Sequence, residues 1–366
     1  VVIAGMGDTG VLAGISLAPH AEVIGVSTRP ALVSGQELGN RVADPEHWRR
    51  NFLVPLRRFR RLDGVRLLHG RITRADLERS QVHVELANGA RKVVPYDHLI
   101  VATGVTNGFW RHDRVEDLDA IEAELDAVSQ ELAEAQRVAV VGGGPTGVSA
   151  AANLARRHPA TDVHLFYAGD EPLPGYHPRA RRRIVVELER AGVQLHPGHR
   201  AEVPDGFAGD RLTAGPLRWT SGQEPVDAEV VLWATGRVRP HTAFLPDEVL
   251  DEAGFVRVDE HLRVPGHANV WAVGDVAATD PARSSARNWG FLVLTRNLRA
   301  TVAGRTERLR RFRAPEHRWG SILGLQDDGL LVFQPDGKAV RVPKRLVQPL
   351  LFDLYLRLVL YRGIRR

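Results

Sequence analysis

Two glycine-rich turns carry the residues best suited to chemistry in this sequence. The first follows the apolar run from Val1 to Ala4 and reads Gly5-Met6-Gly7-Asp8-Thr9-Gly10. The second follows Val138 to Val141 and reads Gly142-Gly143-Gly144-Pro145-Thr146-Gly147. Each stands between a strand-like stretch and a helix-like stretch of small and apolar residues, Val11 to Leu17 and Val148 to Leu154. This spacing suits the diphosphate of a dinucleotide. The first two glycines make a tight turn and let phosphate oxygens approach the backbone. The third lets helix and strand pack closely, while the helix N-terminus faces the negative charge. One such turn is a weak signal. Two, about 137 residues apart and each between strand and helix, predict two dinucleotide sites, with Thr9 and Thr146 among their contacts.

Three further segments must help to position these turns. Leu99 to Val101 and Val230 to Trp233 are apolar strands, each ending in Ala-Thr-Gly: Ala102-Thr103-Gly104 and Ala234-Thr235-Gly236. Each follows its own glycine turn by about 95 residues. A last strand, Asn269 to Val273, ends in Gly274-Asp275. The alternation of strands and helices predicts an α/β protein with two Rossmann-type dinucleotide-binding domains and a small C-terminal α+β unit. One nucleotide domain is discontinuous, residues 1–107 and 241–308; the other spans 108–240, and the C-terminal unit 309–366. Val115 to Gln136 reads as a connecting helix, and the Arg-, Pro- and Trp-rich segment Arg29 to Leu62 as an insertion beside the first site.

A chain of 366 residues with 43% hydrophobic and 25% charged residues has the length and composition of a soluble protein with two cores. It contains no cysteine. Thiolate metal sites, disulfide scaffolds and dithiol mechanisms are excluded, and the expected compartment is the cytoplasm. The histidines show no ligand spacing, so no metal site is expected. Seven of the basic residues lie from Arg341 onward, against the single acid Asp353. That tail accounts for the whole net charge of +5, and the near-neutral remainder gives no reason to expect nucleic acid.

The ordered set of five motifs resembles the flavoproteins with two dinucleotide-binding domains, among them type II NADH dehydrogenases and the ferroptosis-suppressor and apoptosis-inducing-factor groups. The resemblance implies FAD on the first turn and NAD(P)H on the second. It places Gly5, Gly7, Thr9, Gly10, Thr103, Gly104, Gly274 and Asp275 against FAD, and Gly142, Gly144, Thr146, Gly147 and Gly236 against the nicotinamide dinucleotide. It also implies hydride transfer from NAD(P)H to FAD and onward reduction of a small acceptor, with a quinone suspected. A redox protein of the ferredoxin kind, or a flavin-binding sensor with little turnover, are the alternatives.

The sequence departs from that pattern in several places. The acid that usually ends the second strand and binds the adenosine ribose is replaced by Ser27, followed by Thr28 and Arg29. The matching position of the second domain is near Tyr167, which leaves NADH and NADPH open. The downstream Arg179, Arg181, Arg182 and Arg183 are either a phosphate site or a solvated helix face. Where type II NADH dehydrogenases carry a Glu two residues after the last glycine of the second turn, this chain has Ser149. Where they carry two glutamines beside flavin and quinone, it has Asn288 and Trp289. Ser149, Asn288 and Trp289 are therefore the candidates near the flavin.

Finally, Leu346 to Tyr361 reads as a Leu-rich helix with Pro349 near its start and Gly363 past its end. About sixteen residues at 1.5 Å each are too short to span a bilayer. Its basic flanks suit an anionic membrane surface at the inner face of the cell membrane; packing on the protein itself or in a homodimer is the other reading.

Overall fold

The computed structural model describes residues 1–34, 38–106, 112–236, 238–286 and 289–365, with Leu38 described by its backbone alone. The chain opens with β1 (Val2–Ala4), α1 (Asp8–Leu17) and β2 (Val23–Ser27). A short hairpin, β3 (Ala31–Val33) with β4 (Leu53–Pro55), encloses α2 (Leu38–Ala43) and α3 (Pro45–Phe52). Then come β5 (Val65–Asp76), β6 (Gln81–Leu86), β7 (Arg91–Pro95) and β8 (Leu99–Val101), followed by β9 (Val105–Thr106) and the connecting helix α4 (Leu118–Glu134). A second winding runs through β10 (Arg137–Val141), α5 (Pro145–Arg157), β11 (Asp162–Phe166), α6 (Pro178–Arg190), β12 (Gln194–His196) and β13 (Val230–Trp233). The chain returns through β14 (Arg239–Pro240), β15 (Val270–Ala272) and α7 (Gly290–Val302). It ends in β16 (Gly320–Gln326), β17 (Gly329–Phe333), β18 (Ala339–Val342) and α8 (Lys344–Leu346), which continues in wider π-type turns over Val347–Leu360.

Two sheets position the glycine turns. The first has seven strands in the order β15-β8-β1-β2-β5-β6-β7, and the second four parallel strands in the order β12-β11-β10-β13. In both, the strand before the glycine turn lies between the strand that follows its helix and the strand ending in Ala-Thr-Gly. Central parallel strands are covered on both faces, which demands continuous apolar sequence. Val2, Ile3 and Ala4 in β1 and Leu99, Ile100 and Val101 in β8 are accordingly buried. Strand β15, from residue 270 onward, joins the first sheet beside β8, so that sheet draws strands from both sides of the second winding. The antiparallel pair β9–β14 crosses between the two units.

The C-terminal unit is fastened to α5. This helix is buried from Gly147 to Ala155 between its own sheet on one side and α2 and β16 on the other, which explains its small residues. Asn153 donates through Nδ2 to Leu323 O at 2.8 Å, and its Oδ1 accepts from Gln326 Nε2 at 3.0 Å. Glu187 of α6, buried, gathers Arg156, Arg183 and Arg341 around one carboxylate. The terminal helix lays Val347 and Phe352 on α3, where the Phe52 and Phe352 rings meet edge-on at 5.5 Å. Its other face, with Leu350, Leu354, Leu358 and Val359, is exposed. Within it Arg357 Nη1 lies 3.5 Å from Asp353 Oδ1, an i,i+4 ion pair.

Candidate dinucleotide sites

Each glycine turn is shaped by backbone contacts that no side chain would permit. Gly5 has φ +94°, and a Cβ on it would lie 2.5 Å from Ala102 O. A Cβ on Gly10 would lie 1.9 Å from Gly5 O. The second turn repeats this construction. Gly142 has φ +129° and a Cβ there would lie 2.1 Å from Ala234 O, while one on Gly147 would lie 2.0 Å from Gly142 O. The alanine of each Ala-Thr-Gly is thus the wall behind the first glycine, held by its own N–H: Ala102 donates to Ala4 O at 2.8 Å and Ala234 to Val141 O at 2.7 Å. The middle glycines are different. Gly7 and Gly144, the N-caps of α1 and α5, would meet no protein atom within 4 Å, nor would Gly104 or Gly236. They face open space at two helix N-termini without side-chain caps. A diphosphate fits such a place.

A cleft of about 760 Å³ runs from the first turn across the ends of its sheet. It brings together Gly5, Gly7, Thr9, Ser27, Thr103, Gly104, Gly274 and Asp275. Gly10 stands behind it, joining helix to strand, as its place in the motif requires. Gly274 lies over Thr9 and is pinned by Ser285, whose Oγ accepts from Gly274 N at 3.0 Å and donates to Gly274 O at 3.1 Å. Thr103 Oγ1 donates to His241 O at 2.8 Å, and the His241 ring bridges back to Thr106 at 2.7 Å and Thr103 O at 3.1 Å. The Ala-Thr-Gly threonine therefore also holds the crossing between the two units.

The three candidates near the flavin fare unequally. Ser149 does not reach the cleft. It is 4% exposed and lies under α2, where a Cβ on Gly39 would stand 2.2 Å from its Oγ; Asn153 Nδ2 donates to its carbonyl at 2.7 Å. Asn288 lies outside the described residues. Trp289 caps α7 in a left-handed conformation, φ +59°, with its ring exposed and 6.0 Å from Phe291; Ala286 of the same turn lines the cleft and Trp289 does not. In the second unit Thr146 opens α5 beside Gly144, and Tyr167 is buried against Gly143. Of the downstream arginines, Arg181 pairs with Glu171 and Arg183 with Glu187.

At the far end of the cleft the structure shows a cluster that sequence reasoning missed. Arg29 Nε lies 2.9 Å from Glu116 Oε2, and its Nη2 donates to His112 O at 3.0 Å. Glu116 N donates to Thr28 O at 2.9 Å, so residues 112–116 are clasped to the end of β2. A carboxylate thus stands near the position where Ser27 lacks one, supplied by a distant segment and occupied by Arg29. Nothing in the acidic run 113–119 distinguishes Glu116 beforehand, because its partner is remote in sequence. His112, Glu116 and Glu124 are the group of acidic and histidine side chains among the described residues that comes close enough for a cation. Arg29 already places a positive charge on Glu116 and lies 3.3 Å from His112 Nδ1, so the group reads as an ion-pair network.

Burial alone would raise the Glu116 carboxyl, but hydrogen bonds from His112 and Arg29 outweigh it and hold it at about 2, against an ordinary 4.5. A depressed value contributes stability that is present above pH 4.5 and lost as pH falls towards 2. Glu116→Gln is expected to cost about 1–3 kcal/mol at pH 7 and to flatten the acid limb between those limits. Urea midpoints at pH 7 and pH 3 check this; an unchanged difference between them would count against the network.

The family profile described as pyridine nucleotide-disulphide oxidoreductase matches residues 1–297. The chain belongs to that family. Lacking any cysteine, it is a member without a protein disulphide. It is 30% identical over 196 residues to human ferroptosis suppressor protein 1, covering 51% of each chain. It is 28% identical over 283 residues to the type II NADH:quinone oxidoreductase Ndh of Mycobacterium tuberculosis, covering 67% of this chain and 60% of that one. The matches therefore span about half to three fifths of these relatives. Among solved structures, NDH2 from Plasmodium falciparum in complex with NADH superposes with a TM-score of 0.74 at 14% identity, over 99% of this chain and 95% of that one, a likeness of fold.

Proposed function

We propose that this family member is an FAD-dependent NAD(P)H oxidoreductase, with FAD in the cleft at Gly5–Gly10 and the nicotinamide dinucleotide at Gly142–Gly147. In this reading residues 1–107 with 241–308 bind FAD, 108–240 bind NAD(P)H, and 309–366 form the unit beyond them. The observation that carries it is the duplicated cradle: two helix N-termini, each with an open middle glycine and each walled by the alanine of an Ala-Thr-Gly turn. When bound, FAD supplies the redox chemistry, taking hydride from the nicotinamide and passing electrons on. The chain's own part is to hold the two dinucleotides on backbone amides, with Asp275 and Thr9 beside the first, and to keep both units in register through β9–β14 and His241.

A quinone is the proposed acceptor, supported by the name of the Mycobacterium tuberculosis relative, a type II NADH:quinone oxidoreductase. The exposed Leu350, Leu354 and Leu358, with the exposed Arg345 and Arg362 near the two helix ends, support docking on an anionic membrane surface. No helix among the described residues is long and apolar enough to cross a membrane. The purified protein is expected to be yellow, to bleach anaerobically with NADH or NADPH titrated separately, and to recolour on adding a quinone. A colourless protein overturns the reading of the cleft; a yellow protein that neither nucleotide bleaches overturns the enzymatic reading.

A further inference from the structure

The helix that faces the proposed diphosphate begins with an acid. Asp8 is the first residue of α1, directly after the Gly7 N-cap, and it lines the cleft. A carboxylate there is favoured by the helix dipole, but it repels an anion placed on the same amides. The structure gives this carboxylate two hydroxyl donors. Ser34 Oγ donates to Asp8 Oδ1 at 2.8 Å, and Tyr361 Oη donates to the same oxygen at 3.4 Å.

Tyr361 comes from the other end of the chain, where it terminates the last helix. It is buried, and its ring meets Phe59 edge-on at 5.2 Å. The residues after it are stitched to the segment around Phe59. Arg60 N donates to Gly363 O, Arg365 N donates to Arg58 O, and Arg365 pairs with Asp63. Phe59 and Leu62 share a core with Val11 and Ile15 of α1, so the tail is seated on the underside of the first cradle. Burial first, and the Asp8 charge second, push the Tyr361 hydroxyl well above its ordinary value. Its proton therefore stays in place, and the phenol acts as a donor throughout the working range.

We propose that Tyr361 is a positioning residue for the flavin site: with Ser34 it holds the Asp8 carboxylate aside and leaves the N-terminal amides of α1 to the diphosphate. The proposal rests on the reading of the cleft as the FAD site. It makes the seating of the C-terminal tail a condition for tight flavin binding, and it gives the acid in this turn a partner that the motif does not predict.

The test is a cycle of four proteins: wild type, Tyr361→Phe, Asp8→Asn and the double variant. Each apoprotein is titrated with FAD by flavin fluorescence, and each has its unfolding midpoint measured. Tyr361→Phe is expected to bind FAD about fivefold more weakly, the scale of a long hydrogen bond to a charged group. Asp8→Asn is expected to bind more tightly than wild type, and Tyr361→Phe to have no further effect in that background, since no charge is left to restrain. Equal weakening in both backgrounds makes Tyr361 a packing residue and overturns the proposal. So does wild-type binding that Tyr361→Phe leaves unaltered, with the reading of the cleft intact. Wild-type protein that takes up no FAD overturns both.

Discussion

Gly7→Ala is expected to unfold at the same midpoint as wild type yet to lose FAD affinity by more than about tenfold, a difference of ~1.4 kcal/mol or more. The methyl group would meet no protein atom within 4 Å, and Gly7 has φ −75°, so neither sterics nor backbone strain opposes it in the free protein. The only space it occupies is the space proposed for the diphosphate. Gly10→Ala is expected to behave in the opposite way. Its Cβ would lie 1.9 Å from Gly5 O, a backbone atom that cannot swing aside, and helix α1 would have to move off β1. Overpacking of this kind costs about 1–3 kcal/mol or more, and the flavin would be lost with the structure. The second turn offers the matching pair. Gly144→Ala should keep the yellow colour and the midpoint while failing to bleach with NAD(P)H, and Gly147→Ala, 2.0 Å from Gly142 O, should destabilise the second unit. Absorbance spectra and thermal midpoints of the four variants separate these outcomes. A Gly7→Ala protein that binds FAD normally would remove the diphosphate from the first cradle.

The contrast between these glycines also shows what could be read beforehand. The turns were legible because their chemistry resides in the backbone: the glycine spacing reports a turn geometry directly, and the apolar runs around it report buried parallel strands. Even the pairing of each turn with its Ala-Thr-Gly was visible as order along the chain, and Ala102 and Ala234 prove to be the walls. Side-chain roles were less legible, since they depend on remote contacts. Ser149 is singled out by its offset from Gly147, while its burial under α2 depends on a contact remote in sequence. Glu116 carries no motif and Tyr361 reads only as the end of the terminal helix; each acquires its place from a partner, Arg29 or Asp8, that is 87 or 353 residues distant. The terminal helix was legible in its ends and its apolar character. Which face would be covered was not, because that depends on α3, whose Phe52 receives Phe352.

Replacing Leu350, Leu354 and Leu358 together with serine is expected to weaken binding to anionic vesicles by about a hundredfold and to leave folding unchanged. These side chains are 49%, 49% and 60% exposed, so the fold gains little from them, while Val347 and Phe352 hold the inner face of the helix. Burying the exposed part of each leucine in the acyl boundary contributes about 1 kcal/mol, and three together give about 3 kcal/mol, or two orders of magnitude in partition. The exposed Arg57, Arg60 and Arg61, together with Arg345 and Arg362, would add about 1 kcal/mol for each one that reaches the surface, so binding should fall steeply with salt and with the fraction of anionic lipid. Because the triple variant keeps Tyr361 and the residues after it, its affinity for FAD should match that of wild type, which separates attachment from the state of the cradle. Vesicle co-sedimentation at two salt concentrations, with the mass in solution measured alongside, decides the matter. A triple variant that sediments like wild type rules out the leucine face as the lipid contact. A variant that turns from dimer to monomer without change in vesicle binding assigns that face to a second copy of the chain.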